Sequence, residues 1–141
     1  MKMMMNSWIY NNTIFTIDEN DSLYGFVYCI TNLLNNKKYI GRKYLTRAKT
    51  KQVKGKKKKI RVDSNWQNYW GSNKILLEDI EKYGKDNFKR EIIHLCKSRG
   101  ECSYMESKEI FMRDALLKDD YYNQWCSCKI QRNHLKTLLT S

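Results

Sequence analysis

The chain has 141 residues, no proline, five cysteines and a formal net charge of +12, from 27 Lys or Arg against 15 Asp or Glu. That length fits one domain with short tails and a small core, and the lack of any eighteen-residue apolar run excludes a transmembrane helix. The charge is local: residues 37–61 hold thirteen Lys or Arg and no acid, so the rest of the chain is close to neutral and the block reads as a phosphate-binding footprint, with a solvated basic loop as the bland alternative.

Residues 1–22 read as an N-terminal extension. The repeated methionines leave the start codon open. Residues 8–10 and 13–17 have the composition of short strands, and Asp18, Glu19, Asn20 and Asp21 form a polar turn. The segment is expected to pack on the outside of the domain. The start lacks a signal-peptide pattern, so the expectation is a soluble, cytoplasmic protein.

Residues 24–45 read as two strands around an asparagine-rich turn. Phe26, Tyr28 and Ile30 alternate with Val27, Cys29 and Thr31, and aromatic and β-branched residues at period two favour a strand. Both faces are apolar, which places this strand inside a sheet. Asn35-Asn36 tolerates the positive φ of a tight turn, and Tyr39-Ile40-Gly41 opens the return strand.

Residues 46–63 read as a basic ribbon turning at Gly55, with Ile60 and Val62 in the returning strand, or as a loop that orders on nucleic acid. Its cations, with the preceding Arg42, are the expected phosphate contacts: Lys49, Lys51, Lys54, Lys56, Lys57, Lys58, Lys59 and Arg61. In residues 64–72, Trp66 and Trp70 are expected in the core, while Tyr69 is more open and could bring a hydroxyl to a site. Ser72 would cap a helix over 73–83 that buries Leu76, Ile80 and Tyr83, with Gly84 ending it in the left-handed conformation. Residues 88–96 read as a third strand, with His94 as a packed or surface residue. Residues 101–117 read as the longest helix, with Met105, Met112 and Leu116 as a core stripe. The basic tail, 124–141, is either a last helix packed through Ile130, Leu135 and Leu138 or a second DNA contact.

Cys29 and Cys96 read as small core residues, and an odd cysteine count suggests free thiols. Cys126, Cys128 and His134 could form half a zinc site, but no second cysteine pair completes it.

Phe26-Val27-Tyr28 followed at eleven-residue spacing by Tyr39-Ile40-Gly41 resembles the GIY-YIG nuclease family. The intervening hairpin resembles the family's too. Phe26 stands at the first position of the leading triplet, with Gly25 one place earlier. The resemblance covers about residues 24–123, with the insert at 48–61 as its main departure. It implies an α/β (α+β) GIY-YIG domain at 23–123: a small three-stranded antiparallel sheet flanked by helices, carrying a basic hairpin-like insert at 46–63.

It also implies a metal-dependent endonuclease that hydrolyses phosphodiester bonds in DNA, of phage or mobile-element type, acting in the host cytoplasm if phage-encoded. One divalent ion, Mg²⁺ or Mn²⁺, would be held by a glutamate on the last helix. Glu109 has Arg113 at i+4, an ordinary ion-pair spacing, whereas Glu106 has no local partner, so Glu106 is the expected ligand. Tyr28 and Tyr39 resemble the family's paired hydroxyls, one of which would orient or deprotonate the attacking water, given a cation such as Arg42 or Lys43 to lower a tyrosine pKa. For the family's arginine, the insert leaves Arg47 as first choice and Lys43 as second. Asn123 matches a final asparagine that braces the site. No small-molecule cofactor or membrane is expected. Specificity would come from the insert, the tail or a homodimer partner, or be low. The alternative is a non-catalytic nucleic-acid-binding module on the same fold; a third is a structural basic protein.

Overall fold

A computed structural model describes residues 6–18 and 21–139. The methionine-rich start and Glu19 and Asn20 of the polar turn lie outside these residues.

The central strand, β3 (Gly25–Asn32), is buried along its whole length, as its apolar faces require. It pairs antiparallel with β4 (Lys38–Tyr44) on one side and β7 (Phe88–Cys96) on the other. These are the three strands that the resemblance implies, and the short strands expected within 8–10 and 13–17 are present as well. Two more widen the sheet. β1 (Trp8–Tyr10) runs parallel to β7, with Trp8 opposite Arg90, and β2 (Thr13–Ile14) pairs antiparallel with β1. The order is β2-β1-β7-β3-β4. The N-terminal segment is therefore not an outer coat. Trp8 and Ile9 are buried, and the Trp8 ring meets Phe26 and Tyr28 edge-on, with centroids at 4.8 and 5.2 Å. The Trp8 indole N–H donates to the Trp66 carbonyl at 2.9 Å. A large ring and a satisfied donor outweigh the weak pairing of a three-residue strand.

The two faces of β3 organise two layers. Phe26, Tyr28 and Ile30 pack with Trp66, Trp70 and with Leu76 and Ile80 of α1 (Lys74–Tyr83). Val27 and Cys29 pack with Cys96 and with Cys102 and Ile110 of α2 (Arg99–Met112). The cap of α1 is Asn73, one residue past Ser72; its Oδ1 accepts from Leu76 N–H at 2.9 Å. Gly84 has φ 87° but ψ 146°, an extended exit rather than the left-handed one, and Tyr83 is exposed. Of the methionine stripe only Met105 packs against the core; Met112 is 72 % exposed and Leu116 lies beyond the end of α2. Leucine and methionine at i+7 and i+11 lie on one face only while the helix lasts.

Arg90 was not anticipated. It is buried, makes no ion pair among the described residues, and stacks between Trp8 and Trp70 at 4.5 and 4.1 Å. Its guanidinium donates to the carbonyls of Gln67 and Tyr69 at 3.1 and 2.7 Å, and to that of Asn6. This one side chain ties β1 and the 66–71 segment to the sheet.

The basic insert is a ribbon of β5 (Thr46–Val53) and β6 (Lys56–Asp63) that forms its own two-stranded sheet. Lys54 and Gly55 both have positive φ, 50° and 76°, as a two-residue hairpin turn needs. Register and the pleat put Arg47, Lys49, Lys51, Lys56 and Lys58 on one face and Lys57, Lys59 and Arg61 on the other. Lys51 stands directly opposite Lys58, a like-charge pair that weakens the ribbon. At the base, Ser64 closes the insert: its N–H donates to the Leu45 carbonyl at 3.0 Å and its hydroxyl to the Tyr44 carbonyl at 2.6 Å.

The tail ends in a single 3-10 turn (Arg132–Leu135) and the short α3 (Lys136–Leu139). It crosses the start of α2, where Thr137 Oγ1 donates to Glu101 Oε1 at 2.8 Å. Ile130, Leu135 and Leu138 are half-buried, in line with the packed alternative. Among the described residues no helix is long and apolar enough to cross a membrane.

Candidate active site

A cleft of about 360 Å³ opens where the β4 edge, α2 and the start of the tail converge. Tyr28, Tyr39, Arg42, Ser72, Glu106 and Asn123 line it, and Trp125 and Cys126 join them from the tail.

Tyr28 comes from the central strand and is only 1 % exposed. It reaches the cleft by crossing its partner in the ladder, Gly41. A Cβ at Gly41 would lie 2.6 Å from Tyr28 Cζ and closer still to the phenol oxygen, so the absent side chain is the passage for the ring. The β3–β7 ladder is bulged here on the β7 side, where Ile93 is the extra residue between the partners of Val27 and Tyr28, and Tyr28 keeps the face it shares with Phe26 and Ile30. Tyr39 lies beside it, ring centroids 6.2 Å apart, with its hydroxyl 3.4 Å from Ser72 Oγ.

The β4 edge is held by the segment before the tail. Tyr122 N–H donates to the Lys38 carbonyl at 2.7 Å. Asn123 then grips both backbone groups of Ile40: Oδ1 accepts from its N–H at 3.0 Å and Nδ2 donates to its carbonyl at 2.8 Å. One side-chain amide thus completes the ladder between Tyr39 and Gly41 and covers an otherwise open edge. Tyr122 is anchored in turn, its hydroxyl donating to Asp79 Oδ2 at 2.7 Å and accepting from Asn32 at 3.1 Å.

Glu106 projects from α2 and does have a partner. Arg42 of β4 donates to its Oε1 at 2.8 Å. The expectation of an unpaired carboxylate fails because helix spacing reveals only neighbours on the same helix, and Arg42 arrives from the sheet 64 residues away. Glu109 pairs with Arg113 at 2.9 Å, as its spacing predicted. Burial pushes the Glu106 carboxyl above its usual range, and Arg42 pulls it back in part.

The cation beside Glu106 is Arg42. Arg47 sits on the exposed ribbon opposite Val62 and does not line the cleft. Lys43 points to the other side of β4, its Nζ 4.2 Å over the Tyr69 ring, and is outside the cleft lining as well. Tyr69 packs edge-on to Tyr28 at 6.1 Å, so the open aromatic of residues 64–72 does lie behind the site. The anticipated lowering of a tyrosine pKa is absent. Burial pushes Tyr28 well above 10, with the neighbouring Tyr69 and Tyr39 adding to it, and burial raises Tyr39 as well. Arg42 is engaged by Glu106 and lowers Tyr39 only weakly.

The donor set suits a hard divalent cation. Glu106 Oε2 makes no hydrogen bond among the described residues, and Tyr28, Tyr39 and Ser72 line the same cleft with their hydroxyl groups. A single carboxylate matches an ion that keeps most of its water shell. The zinc half-site is not assembled: Cys126 bonds Ser107 Oγ at 3.5 Å, Cys128 is exposed, and His134 Nδ1 accepts from Gln131 N–H at 3.1 Å.

The family model described as "Putative endonuclease segE, GIY-YIG domain" matches residues 8–126. The chain is also similar to "Putative endonuclease segE" of Enterobacteria phage T4, 36 % identical over 101 residues, which cover 72 % of this chain and 40 % of the relative. The chain therefore spans well under half the length of that relative. No solved structure matches.

Proposed function

The chain belongs to the GIY-YIG endonuclease family, a family of divalent-metal-dependent nucleases, and on that premise we propose that this domain cuts DNA by metal-assisted phosphodiester hydrolysis. The observation that carries the proposal is the meeting of Tyr28, Arg42 and Glu106 in one cleft from three separate elements. Folding alone requires no such convergence of a buried carboxylate, a guanidinium and a phenol.

Hydrolysis adds water to phosphorus, breaks one P–O bond and returns a proton to the leaving oxygen. Glu106, with Tyr28 and Tyr39 nearby, would hold one Mg²⁺ or Mn²⁺, whose charge offsets that developing on the phosphate. Arg42 supplies a second, permanent charge there and forms paired hydrogen bonds to phosphate oxygens. Tyr28 keeps its proton at neutral pH, so its role is to orient the attacking water and donate to an oxygen rather than to act as a phenolate. Asn123 positions Tyr39 and Gly41 through Ile40. Lys49, Lys51, Lys54, Lys56, Lys57, Lys58, Lys59 and Arg61 of the ribbon, all exposed, track phosphates beyond the cleft.

Supercoiled plasmid tests this. Conversion to nicked or linear forms is expected with Mg²⁺ and not with EDTA. Glu106→Gln lowers the rate by about 10² or more, and Glu109→Gln leaves it close to wild type. Cleavage that survives Glu106→Gln refutes the metal assignment. Binding without cleavage under Mg²⁺ and Mn²⁺ leaves a nucleic-acid-binding module on this fold.

A further inference from the structure

We propose that Trp125 is a nucleobase-stacking platform at the lip of the cleft, holding one unstacked base of the cut strand beside the phosphate to be cleaved. This site deepens the nuclease activity proposed above and depends on it.

The chain has four tryptophans. Trp8, Trp66 and Trp70 are 3 %, 6 % and 8 % exposed and belong to the core, whereas Trp125 is 74 % exposed. Core packing therefore does not account for it. It lines the same cleft as Glu106 and Arg42. Its backbone is held on both sides, two residues upstream by Asn123 on Ile40 and one residue downstream by Cys126 Sγ on Ser107 Oγ. The indole is thus a displayed group on an anchored segment.

The surroundings select the occupant. Arg42 lines the same cleft and the ribbon cations draw a polyanion to the domain; an exposed aromatic face on such a domain can stack nucleic acid bases without regard to sequence, because every base has a π-face. Depth adds a second constraint. The Tyr28 side chain is almost fully covered, so the scissile phosphate has to descend into the cleft, and a strand with all its bases stacked does not follow it easily. An indole at the lip replaces the stacking that the displaced base gives up.

The other three tryptophans are buried, so emission quenching reports on Trp125. The full chain in EDTA is titrated with a single-stranded oligonucleotide and with the matching duplex, and plasmid cleavage is measured in Mg²⁺. Saturation is expected to quench the wild-type emission. Trp125→Ala is expected to weaken single-strand binding and lower kcat/KM by about 10- to 100-fold. Trp125→Phe, which keeps an aromatic face, restores most of both. The slope of log K against log salt stays unchanged in both variants, since no cation is removed. Unchanged emission at saturation, or Trp125→Ala matching wild type in affinity and rate while wild type cleaves, overturns the stacking role and leaves the nuclease standing. Wild-type protein that neither binds nor cleaves DNA overturns both.

Discussion

Gly41→Ala tests the passage by which Tyr28 reaches the cleft. The added methyl would sit 2.6 Å from Tyr28 Cζ and 3.0 Å from Tyr39 Cε2, where carbon atoms normally rest about 3.5 Å apart. The Tyr28 ring would have to retreat by roughly 1 Å. It is boxed in by the rings of Trp8, Tyr39 and Tyr69, at 5.2, 6.2 and 6.1 Å, so the retreat strains the core by about 1–3 kcal/mol. For a chain of this length that lowers Tm by about 4–12 °C, at roughly 4 °C per kcal/mol. A misplacement of that size at a reacting group costs on the order of 10² in rate, read in single-turnover cleavage well below Tm. Gly25→Ala is the comparator. Its Cβ would lie 2.5 Å from the Lys43 carbonyl oxygen and 3.1 Å from Cys102 Sγ and Tyr44 Cα, a clash at the far end of the β3–β4 ladder and outside the cleft lining, so it should unfold the protein more easily while slowing the folded fraction less than Gly41→Ala does. Wild-type rates in Gly41→Ala, or an equal slowing in Gly25→Ala, would refute the reasoning.

Three further outcomes are expected. Arg42 holds the Glu106 carboxyl below where burial alone would put it, and a metal binds the deprotonated form. Mn²⁺ binding followed by electron paramagnetic resonance should therefore fail on the acid side above the ordinary carboxylate range, and Arg42→Met should move that loss to higher pH; an unmoved midpoint would mean another group titrates. Arg90→Met leaves three carbonyls without their donor and removes a cation between two indoles, a loss of about 3 kcal/mol or more by denaturant titration. Arg90→Lys recovers little, since a point charge does not reproduce the planar fork; full recovery would show that charge alone matters. Neutralising Lys49, Lys51, Lys56 and Lys58 together should flatten the salt dependence of duplex binding by up to about 3.6 in slope, 0.9 for each phosphate released, and an unchanged slope would remove that face of the ribbon from the interface.

The elements legible in the sequence were those whose pattern is local. Period two over 26–31 placed β3, the i, i+4 pair Leu76 and Ile80 placed α1, and the Tyr and Gly spacing pointed to the hairpin that carries the site. Features that join distant segments were not legible. The strand at 8–10 shows in its composition, but its pairing does not, because its partner lies some eighty residues on at Arg90. The Arg42–Glu106 pair crosses from sheet to helix, so neither flanking sequence announces it. Nothing beside Arg90 in the sequence marks it, though its buried slot between two tryptophans is what fixes the 66–71 segment. Trp125 follows Asn123, which the resemblance assigned to the site, by two residues, yet nothing in the tail's composition marks its exposure at the cleft.

The closure of the ribbon at Leu45 and Ser64 carries a consequence for how this domain diversifies. Chain leaves and re-enters the nuclease at two points joined by one backbone hydrogen bond, so whatever lies between them adds little closure entropy and leaves the surrounding sheet in register. An arm of another length, charge or fold can be grafted at that doorway while the cleft keeps its geometry. Under the activity proposed above, an arm that contacts DNA and a cleft that cuts it would be separable modules, open to exchange at the bench.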